Sequence, residues 1–246
     1  SSSTVDSSYI DSLVQFYSIG NGGGCDWQFP EGLIDITPIN YNLSNGDYIV
    51  PFNKNLYIMS ITQYDFDDIL KISGLTIFKG FGLHNDFAYP KSDHLFQPIL
   101  ANENNIISST AGNSSTITGF LVDKKIDVFN FQLQGTISGG NITYNVPIGK
   151  KLVILNVYNT TATLYADGNS VLSGHYNDFS PGNVNEGIRC LSTPLIFAEN
   201  TSLSVDINDM LLNGYLADEN YFADCGGGGS SSSTVDSSYI DSLVQF

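Results

Sequence analysis

Two histidine–aspartate pairs are the first residues in this chain that could do chemistry. HNDF spans His84–Phe87 and HYNDF spans His175–Phe179. A histidine oriented by a nearby aspartate can serve as a general base. Both pairs follow a glycine closely, Gly80 and Gly174, at similar places in two related stretches. Repetition of that kind reads as a turn the fold needs rather than as two active sites. The carboxylates of YDFDD, Tyr64–Asp68, could collect a hard cation such as calcium. The spacing of a helix-loop-helix calcium site is missing, so a solvated loop is the simpler reading and no cofactor is expected. Cys25, Cys190 and Cys225 form no C-x-x-C pair and no Cys/His spacing suited to zinc. There is no G-x-S-x-G, no phosphate loop and no H-E-x-x-H. Glycoside-cleaving carboxylates have no short signature, but nothing here points to an enzyme.

Composition narrows the classes further. Nine Lys+Arg against twenty-five Asp+Glu give a formal net charge of −16. Such a polyanion repels nucleic acid and anionic membranes. No apolar run is long enough for a bilayer span, so membrane insertion is not expected. The start at Ser1 without Met reads as a mature or trimmed chain. Apolar residues make up 41%, enough to bury a core, and charged residues only 14%. The remainder is rich in Asn, Ser, Thr and Gly, which favours strands and turns over long helices. Five N-x-S/T triplets, at Asn42, Asn113, Asn141, Asn159 and Asn200, follow from that composition and are not read as glycosylation sites.

The middle of the chain repeats itself at a period of about 95 residues. YIVPFNKNLYIMSI (Tyr48–Ile61) matches YNVPIGKKLVILNV (Tyr144–Val157). LKISGLTIFKG (Leu70–Gly80) matches LYADGNSVLSG (Leu164–Gly174), and QPILANEN (Gln97–Asn104) matches TPLIFAEN (Thr193–Asn200). ITGFLVDK (Ile117–Lys124) matches LNGYLADE (Leu212–Glu219). Each block reads as a strand. In KNLYIMSI, Leu56, Ile58 and Ser60 should share one face and Tyr57, Met59 and Ile61 the other, which suggests burial on both sides. Val-Pro-x-x-Lys is an edge and turn signal. Ser73-Gly74 and Asp167-Gly168 read as hairpin turns. VFNFQL, with Phe129, Phe131 and Leu133 alternating, should open the second copy. The fold class is therefore all-β: two tandem jelly-roll-like β-sandwich modules, residues 25–127 and 128–225.

The ends carry a second repetition. Ser1–Phe16 and Ser231–Phe246 are identical, and the second copy follows Gly226–Ser230, a flexible linker composition. A natural duplication would have drifted, so linker 226–230 and copy 231–246 read as an engineered addition to a chain ending near Cys225. The alternative for the tail is a tag with no structural role. YIDSLVQFYSI could be a strand or a short helix, and the break at GNGGG favours the strand. Residues 1–24 then form a donor arm with a glycine hinge. Tyr9, Ile10, Leu13, Val14 and Phe16 are its apolar contacts, and Ile240, Val244 and Phe246 their counterparts in the copy. An arm of this kind suits β-strand addition to a neighbouring subunit. A tethered copy would close the acceptor groove in cis.

The modules resemble those of bacterial surface proteins and phage tail proteins in the pattern V-P-x-G-K-x-L-x-I-x-N, the D-G hairpin, the P-[IL] strand and the closing N-G-[YF]-L-[VA] strand. The likeness covers roughly residues 46–125 and 140–222, and Asn53 departs from it where the second copy has Gly149. It implies a secreted or particle-exposed β-sandwich. The tethered arm resembles the donor-strand-complemented subunits made from pili. The cysteine beside the arm resembles the connector of spore-appendage fibres.

The leading reading is a structural subunit of an extracellular filament or appendage, whose partners are identical subunits joined through the terminal arm. The alternative is a glycan-binding adhesin or phage tail receptor-binding protein, in which tyrosine-rich loops such as FAYP (Phe87–Pro90) stack on sugars. Cys25 and Cys225 border the folded part and are candidates for a disulfide, within a chain or between subunits. Cys190 is expected to be buried and reduced. The competing reading is free thiols in a reducing compartment.

Overall fold

A computed structural model of the chain describes residues 26–33, 35–63, 69–79, 91–110, 115–158, 162–172, 188–206 and 208–221. The fold is all-β. The first half contains β1 (Thr37–Asn42), β2 (Tyr48–Ile49), β3 (Lys54–Gln63), β4 (Ile69–Ile72), β5 (Leu75–Lys79), β6 (Lys91–Ala101), β7 (Ile106–Ser109) and β8 (Thr116–Asp123). They form two four-stranded sheets, ordered β1-β8-β3-β6 and β2-β7-β4-β5. The second half contains β9 (Asp127–Leu133), β10 (Tyr144–Asn145), β11 (Lys150–Tyr158), β12 (Leu164–Ala166), β13 (Asn169–Leu172), β14 (Ile188–Phe197), β15 (Ser202–Val205) and β16 (Met210–Asp218). Its sheets run β14-β11-β16-β9 and β10-β15-β12-β13. Adding eight to each strand number of the first half gives the order of the second.

The correspondence extends to single residues. Ile58 pairs with Gly119 and Ile154 with Gly214, and in both sheets the register slips at the next residue, between Ile58 and Ser60 and between Ile154 and Asn156. The shared glycine has a steric cause. A Cβ on Gly119 would lie 1.9 Å from the Tyr57 carbonyl oxygen, and one on Gly214 1.9 Å from that of Val153. The hairpins after β4 and β12 turn on Ser73-Gly74 and Asp167-Gly168, all four with positive φ. In the V-P-x-x-K turns, Asn53 (φ 57°) occupies the left-handed position that Gly149 (φ 74°) fills in the second half. Asparagine tolerates that conformation, so the departure leaves the turn intact.

The bulge corrects the expected face pattern of β3. Leu56, Ile58 and Ile61 share the core of the first half, and Tyr57 and Met59 face the other way. The extra residue moves Ile61 to the inner face and takes Ser60 off it. Phe129 and Leu133 of β9 point into the core of the second half, with Phe131 packed against it.

Each half encloses its own core. The first is lined by Leu56, Ile58, Leu70, Ile99 and Ile117, the second by Leu152, Ile154, Leu164, Leu203 and Leu212. A third cluster lies between the halves. It joins Tyr57, Leu100 and Val122 of the first to Val153, Leu155, Tyr215 and Ala217 of the second, with Phe29 of the entering segment. β3 and β11 are thus buried on both faces, which is why they read as nearly continuous apolar runs. Burying one such Leu, Ile or Phe stabilises the fold by about 1.5–3 kcal/mol as an upper estimate.

Candidate functional site

Most of the residues singled out from the sequence lie outside the described residues. These are the arm positions Tyr9, Ile10, Leu13, Val14 and Phe16, their copies Ile240, Val244 and Phe246, Cys25 and Cys225, Tyr64–Asp68, FAYP and both His–Asp motifs. Cys190 lies on β14 opposite Asn156, and its side chain is also outside the described set. Among the described residues, no three His, Cys, Asp or Glu side chains stand together as metal ligands. Two groups of polar side chains converge at and beside the junction between the halves, and a third, around Asp209, ties Gln132, Gly135 and Ser138 within the second half.

The first group anchors residues 26–33, the described segment that precedes β1. The Asp26 side chain accepts from Gln28 N at 2.8 Å, Phe29 N donates to Asp26 O at 3.2 Å, and Gly32 N donates to Phe29 O at 2.8 Å. The segment is thereby curled. It inserts Phe29, which sits 5.8 Å from the ring centroids of both Tyr57 and Phe120. Those two rings stack at 5.3 Å with an interplanar angle of 8°. Glu31 is 6% exposed. Its Oε1 accepts from Asn55 Nδ2 (2.9 Å), Lys125 N (2.5 Å) and Ile126 N (3.2 Å), and its Oε2 accepts from the Tyr57 hydroxyl (2.9 Å). Burial raises the carboxyl's pKa above its ordinary value, and the hydrogen bonds oppose that rise. Burial also pushes the Tyr57 hydroxyl well above the usual phenolic range, with the Glu31 charge acting in the same direction.

The same segment is held from the second half. Tyr215 OH donates to Trp27 O at 2.9 Å and Tyr221 OH donates to Pro30 O at 2.8 Å. Residues 26–33 and the end of the last strand therefore meet at one place.

The second group is a row of asparagines. Asn130, Asn213 and Asn156 are register partners across β9, β16 and β11. They face the free edge of β6. Asn213 accepts from Leu100 N (3.1 Å) and donates to Leu100 O (2.9 Å). Asn130 donates to the same carbonyl at 3.2 Å, and Asn156 donates to Pro98 O at 2.8 Å. An edge strand exposes unpaired backbone groups, and a buried edge must satisfy them. Here three side-chain amides replace the missing neighbour strand. Pro98 suits the edge because it has no N–H to satisfy.

The asparagine row joins the halves, and the first group holds residues 26–33 in place. Sequence reasoning missed them. The available signals were an acid in FPEGL and asparagines inside the apolar runs VFNFQL and VILNVY, polar residues where burial on both faces allows few.

No known protein family matches the chain, and no curated protein matches it. Among solved structures, HutD from Pseudomonas fluorescens SBW25 overlaps 74% of this chain and 77% of its own at 12% identity, with a TM-score of 0.26. A conserved protein of unknown function from Pseudomonas aeruginosa PAO1 overlaps 74% and 80% at 9% identity, with a TM-score of 0.27. Overlaps at this level carry no information on function.

Proposed function

We propose that this chain is a structural subunit of an extracellular filament or appendage. It assembles by inserting its N-terminal arm, residues 1–24, into a neighbouring subunit. On this reading residues 25–127 and 128–225 are two jelly-roll-like modules, and the arm is a strand looking for a sheet. The observation that carries the reading is the anchoring of residues 26–33. Phe29 and Glu31 are buried, and Tyr215 and Tyr221 hold the backbone from the other half. A terminal segment rooted this firmly in a two-module junction transmits load from the arm to both modules.

On this reading the β2 edge is the acceptor. β2 ends its sheet and presents Ile49 opposite Ile106, 60% and 42% exposed, with Phe52 80% exposed in the turn beyond. The corresponding residues of the second half are Asn145 and Ser202, which pair in the same way. The turn beyond is exposed and apolar in both halves, Phe52 and Ile148 at 80% each, so the difference that supports the reading is the Ile49–Ile106 pair, which the second half lacks. Removing residues 226–246 and imaging the shortened chain tests the reading. Fibres are expected, and Val14→Asp should abolish them. A shortened chain that stays monomeric at high concentration overturns the arm mechanism.

A further inference from the structure

The two halves supply a comparison within one molecule. The first half rests a side on the second. Leu100 at the edge of β6 lies in the cluster between the halves, and Ile77, the bulged residue of the β4–β5 hairpin, lies in the first core, the cluster that takes in Leu211 of β16; they are 0% and 1% exposed. Leu100 pairs with Tyr57 on β3, and Ile196 holds the same register position against Val153 on β11. Ile77 has its counterpart in Val171, the bulged residue of the β12–β13 hairpin. Ile196 and Val171 are 44% and 38% exposed. The second half thus keeps the apolar residues of the docking side, and there they stand partly exposed. Pro194 repeats the edge proline Pro98.

The receiving face is repeated as well. Asn130, Asn213 and Asn156 bind the β6 edge in the second half. In the first half the same register positions on β1, β8 and β3 hold Asn40, Thr118 and Ser60. All three side chains can hydrogen-bond a backbone edge. Asn40 is exposed, and the other two are half-buried.

We propose that the side marked by Ile196 and Val171 is a docking surface for a second copy of this chain, and that it seats on that copy's Asn40–Thr118–Ser60 face. The contact repeats between chains the junction already present within one chain. It is heterologous: one surface on each copy meets a different surface on the next. Contacts of that type add copies one after another unless the rotation closes a ring; without the arm this one gives reversible oligomers and not long fibres. The proposal rests on the reading of the chain as a self-assembling subunit, and it does not use the arm.

The test is sedimentation velocity of the full 246-residue chain over a concentration series. Self-association that grows with concentration is expected. Ile196→Asp combined with Val171→Asp should weaken it about tenfold or more, since apolar area leaves water at this contact, and the thermal midpoint should not change. Thr118→Lys with Asn40→Lys, on the opposite surface and in the other half, should weaken it equally. Mixing the two variants is the sharpest control. Each retains the surface the other lacks, so the mixture should form a heterodimer and stop there. The proposal is overturned by a chain that is monomeric throughout, by association that survives both variants, or by a mixture that stays monomeric. Association lost on Val14→Asp with Val244→Asp but kept in Ile196→Asp would leave the arm reading standing and remove this contact alone.

Discussion

Asn213 of β16 grips Leu100 of β6 through both backbone polar groups, accepting from its N–H at 3.1 Å and donating to its C=O at 2.9 Å. A side-chain amide here does what a neighbouring strand would do. Asn213 is 2% exposed, so losing the pair strands the buried Leu100 N–H, while the Leu100 carbonyl keeps its bond from Asn130. Asn213→Leu should cost about 1–3 kcal/mol of stability, the range for one unsatisfied buried group. Urea unfolding measures it. A loss under about 0.5 kcal/mol, the range of an ordinary surface substitution, would contradict the assignment.

Glu31 makes a prediction about pH. Its folded-state pKa is raised, chiefly by burial. A carboxyl raised on folding binds its proton more readily in the folded state. Its contribution to stability is therefore fullest below the unfolded pKa and declines as pH rises through the folded one. Glu31→Gln has no such term, and its amide oxygen can still accept from Lys125 N and Ile126 N. The stability of the parent relative to Glu31→Gln should therefore fall from acid toward neutral pH. Chemical unfolding of both proteins across that range checks it. A difference that rises with pH would show that the hydrogen bonds outweigh burial.

Gly119 and Gly214 permit no side chain. A methyl at either position meets backbone at 1.9 Å, and backbone at the centre of a sheet cannot give way cheaply. Gly119→Ala or Gly214→Ala should each cost about 3 kcal/mol or more, read as loss of soluble protein or a large drop in thermal midpoint. A neutral substitution would mean that the two bulges are not shared as described.

The cysteine prediction follows from where the segments meet. Trp27 and Pro30 are held by Tyr215 and Tyr221. Cys25 lies just before Asp26, and Cys225 four residues after Tyr221. A disulfide between Cys25 and Cys225 is expected, and peptide mapping without reductant should find it. A bridge involving Cys190 would contradict it.

Much of the fold was legible because the duplicated blocks mark the strands twice. Leu70–Gly80 and Leu164–Gly174 each carry a two-residue turn between short apolar runs, and local chemistry of that kind needs no tertiary knowledge. The face pattern of β3 was misread at Ile61, since a bulge shifts a strand's period without changing composition. The junction was harder. Asn130, Asn156 and Asn213 stand out on apolar strands, but the backbone edge they bind belongs to a strand far away in sequence. Glu31 was invisible as an anchor because its partners, Asn55, Tyr57, Lys125 and Ile126, come from two stretches far from it in sequence.

The central claim is that the arm builds the assembly, and electron microscopy of the chain shortened to residues 1–225 tests it most directly. Burying Ile10, Val14 and Phe16 in a neighbour is worth roughly 1.5–3 kcal/mol each as an upper estimate, before the cost of ordering the arm. The account predicts long fibres from the shortened chain and none from its Val14→Asp variant. Discrete monomers from the shortened chain, or fibres that Val14→Asp leaves untouched, would contradict it.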